Sequence, residues 1–458
     1  MNAIVIGVAA YVALQFAIGA WVSRRIKSET DYILAGRQLG VGLAAFSIFA
    51  TWFGAETVLG SAGRVYKDGL AGAQGEPFAY AAAIVIMGLL LARPLWRRGL
   101  VTFADFFRQR FSPGVETAAT LLLIPGTVIW VAAQIRGFGQ IMSTTAGMDI
   151  ALAMTLAAVA VVAYTMLGGL LADVYTDLLQ GSVIIAGLLA VFVVIVVQLG
   201  GVAQGLASID PARLKPMTPD QPLLDFIEQW AIPICGSLVA IELISRILAC
   251  RSPEVARAAA GTGGLVYFLV ALVPVFLGLV GPNLVPGLSD GEQVIPALAK
   301  AYFPTILYVV FAGALISAIL STVDSALLAA AALVSHNLVQ RVHPGLTESR
   351  KLLLTRTCVA GLGIVAYVWA LGSTSIASLV EQASAFATAG IFVVTIMGMF
   401  TRVGGPLAAY AAMATGALVW LIGSKEYGMD WSVPYLKALA AAVVIYLAGA
   451  LIERRHAG

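Results

Sequence analysis

The stretch Ser317-Ala318-Ile319-Leu320-Ser321-Thr322-Val323-Asp324-Ser325 lies inside an apolar segment that runs roughly from residue 304 to residue 336. A segment of that length and composition predicts a membrane-spanning helix with an extension. Its small and hydroxyl-bearing residues recur at helical spacing and therefore share one face: Ala318, Ser321, Thr322 and Ser325. A polar face inside a membrane has to point into a helix bundle, so we expect other membrane-spanning helices to surround this one.

Asp324 falls on the adjoining edge of this face. A charged side chain at the centre of a bilayer costs about 2.5–3.5 kcal/mol, so it normally meets a cation, a proton or a basic partner. Hydroxyls beside a carboxylate offer only oxygen ligands, which suit a hard cation such as sodium. The alternative is structural, because Ser and Thr side chains also pack between membrane helices without binding an ion.

The composition places the chain in the membrane. It has 458 residues, of which 60% are hydrophobic and 11% are charged, whereas soluble domains carry about 25% charged residues. Helices are the spanning structure that its long apolar runs fit, which predicts an all-α integral membrane protein. The chain has three scattered cysteines and no Walker loop, dinucleotide-binding glycine motif or basic patch. We therefore expect no disulfide framework, no organic cofactor and no nucleic-acid partner.

Hydropathy predicts about thirteen transmembrane helices joined by short loops. The first apolar run precedes its charges, Arg24 and Arg25, which is the wrong order for a cleaved signal peptide and predicts an N-terminus outside. The loops then predicted inside hold eighteen Lys and Arg, against five outside, as the positive-inside rule requires. An odd number of spans puts the C-terminus inside. The predicted spans are 2–22, 42–66, 76–97, 116–143, 147–168, 174–199, 225–249, 259–281, 304–336, 353–372, 376–400, 405–424 and 433–453.

Two of these spans are predicted to be broken helices. The second contains Gly54 and Glu56 at mid-depth, and the seventh contains Pro233 and Gly236. Proline removes an amide donor and glycine weakens a helix. Five spans separate the starts of the two, and interrupted spans at matching positions of two five-helix halves indicate an inverted-repeat transporter with its site at the membrane midplane. Either break alone is equally compatible with an ordinary kink.

Four motifs, in order, resemble the sodium:solute symporter family, and the resemblance covers nearly the whole chain. It implies the LeuT-type fold, a 5+5 inverted repeat with one helix before the ten-helix core and two after it. The implied division is an extra N-terminal helix and cytoplasmic loop in 1–41, a first repeat in 42–199, a second in 225–400 and two C-terminal helices in 401–458. The motifs are DYILAGR (31–37), TWFGAET (51–57), GGL (168–170) with YTDLLQG (175–181), and STVDS (321–325).

The resemblance also implies where sodium binds. The main site of the family takes carbonyl oxygens from the first broken helix and one carbonyl and two hydroxyls from core helix eight. The matching residues are Ala50, Phe53, Ala318, Ser321 and Thr322. Some members have a second sodium site, which maps to Asp177, Ser321, Asp324 and Ser325. Asp324 departs from the hydroxyl of that pattern, so this position binds either a cation more strongly or a proton.

Within the family the chain is most similar to the choline-transporter branch, which holds a quaternary ammonium in an aromatic cage. Trp52, Tyr80 and Trp130 match three walls of that cage, and Ala240 stands at the fourth. Each good ring attracts a cation by about 0.5–2 kcal/mol, so the loss of one wall weakens the cage. Aromatic side chains in membrane proteins also serve in packing or at the interface.

Two further carboxylates, Glu56 and Glu242, lie within predicted spans. They are candidates for contact with a cationic substrate. Alternatively they pair with Arg136 or Arg246, since buried charges need partners.

These patterns predict a secondary active transporter of the cell membrane, a multi-pass protein that couples sodium to the uptake of a small organic solute by alternating access. The solute is a quaternary ammonium or another small cation or zwitterion, with a monocarboxylate, an amino acid or a sugar as the alternative. We expect the lipid bilayer and a small molecule as partners and no obligate protein partner. The alternative hypotheses are a receptor-like sensor, a channel and an intramembrane enzyme. The chain ends soon after its last span and has no filter-like repeat or nucleophile motif, so we expect none of these, and no enzyme.

Overall fold

The computed structural model describes residues 3–457 except residues 219 and 374, without the side chains of residues 3–9, 11, 12, 144, 317, 318, 456 and 457. Within that part the chain is built from α-helices with short 3₁₀ and π segments between them. The α-helices are α1 Ala3–Ser23, α2 Glu29–Leu34, α3 Val41–Trp52, α4 Ser61–Asp68, α5 Tyr80–Ile86, α6 Ala92–Arg97, α7 Ala104–Arg110, α8 Pro113–Ala146, α9 Ile150–Gln198, α10 Val202–Ala207, α11 Leu223–Leu238, α12 Ile241–Ala249, α13 Pro253–Leu284, α14 Val294–Tyr302, α15 Thr305–Ala332, α16 Gln340–Val342, α17 Glu348–Leu371, α18 Ile376–Ala385, α19 Thr388–Phe400, α20 Pro406–Gly423 and α21 Pro434–Ala457.

Helical segments lie at all thirteen predicted positions. Eight of the described helices or helical runs are long and apolar enough to cross a membrane, and two bent pairs bring the number to ten. α9 alone has 49 residues, about 74 Å at 1.5 Å per residue, which is more than twice the ~30 Å of a hydrocarbon core. The all-helical membrane fold is therefore confirmed, whereas the number of crossings and the orientation of the termini stay predictions.

The core forms where α15 packs against α8 and α9, and where α3 packs against α9 and α13. Helices that are apolar on most faces bury themselves among others. The largest side chains that are fully buried in this region include Trp52, Tyr267 and Phe311. The candidate functional residues lie on the helices that meet here.

The second span is broken where the sequence predicted. α3 ends at Trp52, and Phe53 leaves the helical conformation with φ −94° and ψ 63°. The chain resumes as a π segment, Glu56–Gly60, before α4. A Cβ on Gly54 would lie 2.8 Å from the Thr322 hydroxyl oxygen on α15. Gln134 Oε1 and Glu56 Oε2 would each lie 2.6 Å from the same Cβ. A side chain at this position would therefore displace the polar groups that surround the break.

The seventh span is also broken, but not at the predicted residues. The break lies at Val239 and Ala240, between α11 and α12, whose axes differ by 44°. The helix continues through Pro233 and Gly236. Gly236 serves a different purpose, because a Cβ there would lie 2.6 Å from the Ser384 carbonyl oxygen of α18. The residue pattern that predicted a break therefore marks a close helix contact instead.

A further bend, which the sequence did not predict, separates α18 from α19 at Phe386 and Ala387. The two helices differ by 41°, and Ala387 has a left-handed conformation with φ 57°. The predicted span 376–400 is thus a bent pair.

Gly169 divides α9 at the boundary between the predicted spans 147–168 and 174–199. Its φ of 55° and ψ of −169° belong to a region that is essentially restricted to glycine. A Cβ there would lie 2.6 Å from the Tyr32 carbonyl oxygen. The two predicted spans are therefore one helical run with a sharp kink, against which α2 packs.

We expect Gly169→Ala to lower the free energy of unfolding by about 2–3 kcal/mol, through backbone strain and the clash with Tyr32. Gly147→Ala is the matched control, because Gly147 also has a positive φ, 65°, but no neighbour within 4 Å of a Cβ. Its loss is expected near 1 kcal/mol. Thermal unfolding of both variants in detergent measures the difference, and equal losses would contradict the proposed contact.

Polar side chains join several helices where α15 and its π extension, Leu333–Val339, end. Glu29 Oε1 accepts a hydrogen bond from Gln340 at 2.6 Å. The Asn337 amide donates to Asp105 at 2.9 Å and to Glu116 at 2.8 Å. These contacts connect α2, α7 and α8 to the end of α15. We call this set the Glu29 network: Glu29, Asp105, Glu116, His336, Asn337, Gln340 and Arg341.

Candidate functional site

The residues predicted for the main sodium site meet at the break after α3. The Thr322 hydroxyl on α15 lies 3.5 Å from the Ala50 carbonyl oxygen. Phe53 begins the break, and Ser321 directly precedes Thr322 on α15. The backbone of Ala318 lies one turn earlier on the same helix, and its side chain is outside the described part. The Gly54 amide donates to Glu56 Oε1 at 3.3 Å instead of continuing the helix. Backbone carbonyl oxygens freed at a break and hydroxyls on a facing helix are the ligands that a small hard cation prefers.

Asp177 on α9 lies directly beside these residues. Its carboxylate accepts hydrogen bonds from Ser321 on α15 and, at 2.5 Å, from Ser47 on α3. Asp177 is fully buried. The carboxylate therefore links α3, α9 and α15 beside the break, and Ser321 is shared between the two predicted sodium sites.

The other two members of the predicted second site belong to a buried charge cluster around Arg246 on α12. Arg246 donates to both Asp173 and Ser325, and it lies 3.9 Å from Asp177. The Ser325 hydroxyl also contacts the Ser321 carbonyl oxygen at 2.9 Å. Asp324, 3% exposed, packs beside Asp173. Among the described residues of this cluster, three carboxylates thus face a single guanidinium, which leaves excess negative charge for another cation or for protons.

The predicted aromatic residues enclose a small cavity. The ring centroids of Trp52 and Trp130 are 6.0 Å apart, and those of Tyr80 and Trp130 are 6.1 Å apart. Ala240 lies in the wall as well, at the break between α11 and α12. The cavity, which we call the aromatic cavity, measures about 40 Å³. The three predicted rings and the missing fourth wall are therefore brought together around one space.

Four polar atoms in the walls of the aromatic cavity have no hydrogen-bond partner among the described residues. They are Trp52 Nε1, Trp130 Nε1, Ser237 Oγ and Glu242 Oε2, and each is buried. A buried polar atom without a partner costs about 1–3 kcal/mol. They comprise three potential donors and one carboxylate oxygen, which a ligand in the cavity would satisfy.

Glu56 is placed differently from Glu242. Its carboxylate accepts a hydrogen bond from Gln134 Nε2 at 2.5 Å, and Gln134 Oε1 accepts from the Ala55 amide at 2.9 Å. Glu56 is therefore engaged with α8 across the break. Neither Glu56 nor Glu242 forms an ion pair with an arginine among the described residues, and Arg246 faces Asp173 instead.

A second, much larger cavity opens beyond Tyr80, and we call it the vestibule. It measures about 770 Å³, and Tyr80 lines both the vestibule and the aromatic cavity. Arg64 is the only cationic side chain among the described lining residues. The carboxylates in its wall are Asp68, Glu76, Asp220, Asp225, Glu228 and Glu381. A cleft lined by one sign of charge concentrates ions of the opposite sign.

A sequence model of the sodium:solute symporter family matches residues 32–416. The chain belongs to this family. Relatives of this symporter include the high-affinity choline transporter 1 of Caenorhabditis elegans, 24% identical, with 92% of this chain and 78% of the relative covered. The sodium/pantothenate symporter of Haemophilus influenzae is 25% identical, with 97% and 95% covered. The high-affinity proline transporter PutP of Bacillus subtilis is 27% identical, with 93% of each covered.

Solved structures agree on the fold of this symporter. A Na⁺-coupled sialic acid symporter in a substrate-bound outward-open state superposes with a TM-score of 0.85 and 15% identity, covering 98% of this chain and 97% of the other. Mhp1, a nucleobase-cation-symport-1 family transporter in a closed conformation, gives a TM-score of 0.64 and 15% identity, covering 93% and 94%. The LeuT-type fold and sodium-coupled solute transport by a multi-pass membrane protein are thereby confirmed.

Several residues of the site were not identified from the sequence. Ser47 lies three residues before Ala50, and Asp173 lies four before Asp177, so helical spacing places each on the face of a predicted residue. Ser237 and Glu76 had no such signal. Their positions depend on the break after α11 and on an irregular segment, Gln74–Ala79, that only the structure reveals.

Proposed function

We propose that the coupled solute is a small organic ammonium that also carries an oxygen group, bound in the aromatic cavity. The observation that carries this proposal is the unpartnered carboxylate oxygen of Glu242 in the same walls as Trp52, Tyr80 and Trp130. An ammonium group interacts with the ring faces by cation–π attraction and with the carboxylate by charge. The acidic vestibule attracts the same charge, which disfavours a simple anion.

The oxygen group follows from the other unpartnered atoms. Three hydrogen-bond donors in the cavity walls have no acceptor among the described residues. They are the indole N–H groups of Trp52 and Trp130 and the hydroxyl of Ser237. A hydroxyl or carboxylate on the solute supplies one. A hydroxylated quaternary ammonium and a zwitterion both meet these requirements, and the relatives named for choline and proline transport take solutes of these two types.

For the coupling ion we propose that the main sodium site consists of Ala50, Phe53, Ala318, Ser321 and Thr322. The contact of Thr322 with the Ala50 carbonyl supports this assignment, because it brings α15 to the break. A cation there ties α3 to α15, so its binding is linked to the arrangement of these two helices. Glu56, held by Gln134, then positions the break instead of contacting the solute.

We also propose a second sodium site at Asp177, Ser321, Asp324 and Ser325, in which not all four side chains are equally available to a cation. The Ser325 hydroxyl is already engaged by Arg246 and Asp173. Asp177 and Asp324 therefore supply the charge of that site. The boundaries of the two repeats, 42–199 and 225–400, are likewise proposed.

Direct binding tests the solute class. Choline, betaine, proline, glucose and lactate are titrated against the purified protein in sodium buffer. We expect choline, betaine or proline to bind, and Trp130→Ala to weaken that binding about 2- to 30-fold, as the loss of one ring predicts. Trp96→Ala is the matched control, since the Trp96 indole donates to the Cys250 carbonyl at 2.7 Å, away from the cavity. Strong binding of lactate that neither Trp52→Ala nor Trp130→Ala changes would overturn the proposal.

A further inference from the structure

His336 lies between two carboxylates just beyond the end of α15. Its Nδ1 atom is 3.1 Å from Glu29 Oε1 on α2, and its Nε2 atom is 3.7 Å from Asp105 Oδ1 on α7. A neutral imidazole has one N–H donor and one acceptor nitrogen, whereas an ionised carboxylate only accepts. The neutral ring can therefore satisfy one of these two contacts, and the imidazolium form satisfies both.

The charges around the ring leave this role to His336. Among the described ion pairs, Glu29 and Asp105 are paired only with His336. The neighbouring cations are bound elsewhere, Arg341 to Glu116 at 2.8 Å, Lys351 to Glu348 at 2.8 Å and Arg37 to the Leu100 carbonyl at 2.7 Å. The ionisable groups around the ring and its two partners are Glu29 on α2, Arg37, Asp105 on α7, Glu116 on α8, Arg341 on α16, and Glu348 and Lys351 on α17.

The ring can exchange a proton with water. Its side chain is 25% accessible, against 9% for Glu29. Burial raises the pKa of Glu29, but the His336 ring and Gln340 outweigh burial and hold that pKa below its usual range. Glu29 thus stays ionised over the range of about pH 5 to 8 in which an imidazole changes its charge. The number of bonds that join α2 and α7 to the end of α15 therefore changes with pH.

A small cavity extends from this region towards the buried charge cluster. It measures about 20 Å³, and its wall includes Thr102, Ala329 and Leu333 at one end and Ser245 and Arg246 at the other. The Thr102 hydroxyl donates to the Asn337 side-chain oxygen at 2.6 Å, which connects this wall to the Glu29 network. Separation of the helices in the network would therefore let water into the cavity and towards Arg246.

The Glu29 network and the vestibule belong to opposite sides of the membrane in the predicted topology. Glu29, Asp105 and Gln340 follow odd-numbered predicted spans, whereas the vestibule residues Asp68 and Asp220 follow even-numbered ones. Alternating access requires the transporter to open on both sides in turn. The helices that His336 joins thus lie where the transporter has to open away from the vestibule.

We propose that His336 is a proton-dependent switch, whose charged form joins α2 and α7 to the end of α15 and delays opening on that side of the membrane. Gain of the proton adds a charge-assisted hydrogen bond, so acidification favours the closed arrangement and loss of the proton favours opening. This regulation goes beyond the proposed function, since it requires neither a particular solute nor a particular sodium site.

The experiment measures opening by the labelling of a cysteine in the cavity wall. Ala329→Cys is introduced into the full chain after Cys235, Cys250 and Cys358 are replaced by alanine. The protein is placed in lipid nanodiscs and labelled with a maleimide at about pH 7.5 and about pH 5.5, either side of the titration of imidazole. Thiol reactivity itself depends on pH, so each rate is divided by the rate of the same protein carrying His336→Gln.

We expect this ratio to be near one at the higher pH and about tenfold lower at the lower pH, as one additional hydrogen bond between charged groups predicts. His343→Gln is the matched control, because His343 is an exposed histidine seven residues further along the chain. It should keep the pH dependence of the protein that has both histidines.

Glu29→Gln provides an independent check, because it keeps His336 but removes the charge of its nearer acceptor. We expect it to lose the pH dependence as His336→Gln does, and it replaces His336→Gln as the reference if that variant fails to fold. A ratio that stays constant, a ratio that rises on acidification, or the absence of labelling at both pH values would each overturn the switch.

Discussion

Thr322→Ala is expected to raise the sodium concentration for half-maximal uptake roughly 10- to 150-fold. The hydroxyl of Thr322 faces the Ala50 carbonyl across the break after α3. Interactions with a charged group contribute about 1.5–3 kcal/mol, and each 1.4 kcal/mol corresponds to a factor of ten. Ser321→Ala should act in the same direction. The affinity for the solute falls as well, because the two binding events are coupled.

Sodium-dependent uptake into proteoliposomes, measured over a range of sodium concentrations, checks this result. Ser335→Ala is a matched control beyond the end of α15, since its hydroxyl is buried but bonded to Ala332 and Thr355, away from the break. Its sodium dependence should equal that of the wild type. If Thr322→Ala and Ser321→Ala both keep the wild-type sodium dependence, the main sodium site is elsewhere.

Arg246→Met is expected to give the largest loss of stability, about 3–5 kcal/mol. Arg246 is fully buried and binds Asp173 and Ser325. Removing one partner of a buried ion pair leaves the other charge without compensation. Here Asp173, Asp177 and Asp324 would face one another without a guanidinium, so the repulsion is greater than in a simple pair.

A second substitution distinguishes lost charge balance from lost packing. Arg246→Met/Asp173→Leu replaces the pair with apolar side chains and should recover more than half of the lost stability. Arg64→Met serves as control, because the Arg64–Glu381 pair is partly exposed, with 34% and 58% of the side chains accessible, and such pairs contribute at most about 1 kcal/mol. Thermal unfolding in detergent compares all four proteins. A double variant no more stable than Arg246→Met would show that Asp173 is not the partner that matters.

Much of the fold could be predicted because a membrane-spanning helix requires an apolar run of a length that the bilayer sets. Apolar runs gave thirteen positions that all carry helical segments, and Gly54 marked a real break. The break near Ala240 could not be placed, because Pro233 and Gly236 are compatible both with a break and with a close contact to α18. Residue types alone do not distinguish these uses of proline and glycine.

The residues of the candidate site could be predicted where a motif or a shared helical face identified them. Trp52, Tyr80 and Trp130 do enclose one cavity. Arg246, however, was considered a partner for Glu242, whereas it lies against Asp173. Which of several buried carboxylates an arginine reaches depends on the rotation and tilt of α9 and α12, and no local pattern encodes these. The position of Glu76 depends on the irregular segment Gln74–Ala79, which no local pattern encodes either.

The Glu29 network bears on how readily the transport cycle turns over. Side-chain hydrogen bonds such as those of Gln340 and Asn337 join the helices that meet beyond the end of α15. Each of these bonds ends on a carboxylate, and a hydrogen bond to a charged group contributes about 1.5–3 kcal/mol. Reversing a two-state population from 1:99 to 99:1 requires about 5.5 kcal/mol. About two to four such bonds match that free energy. We therefore expect ligand binding, and not the protein alone, to decide whether these helices part.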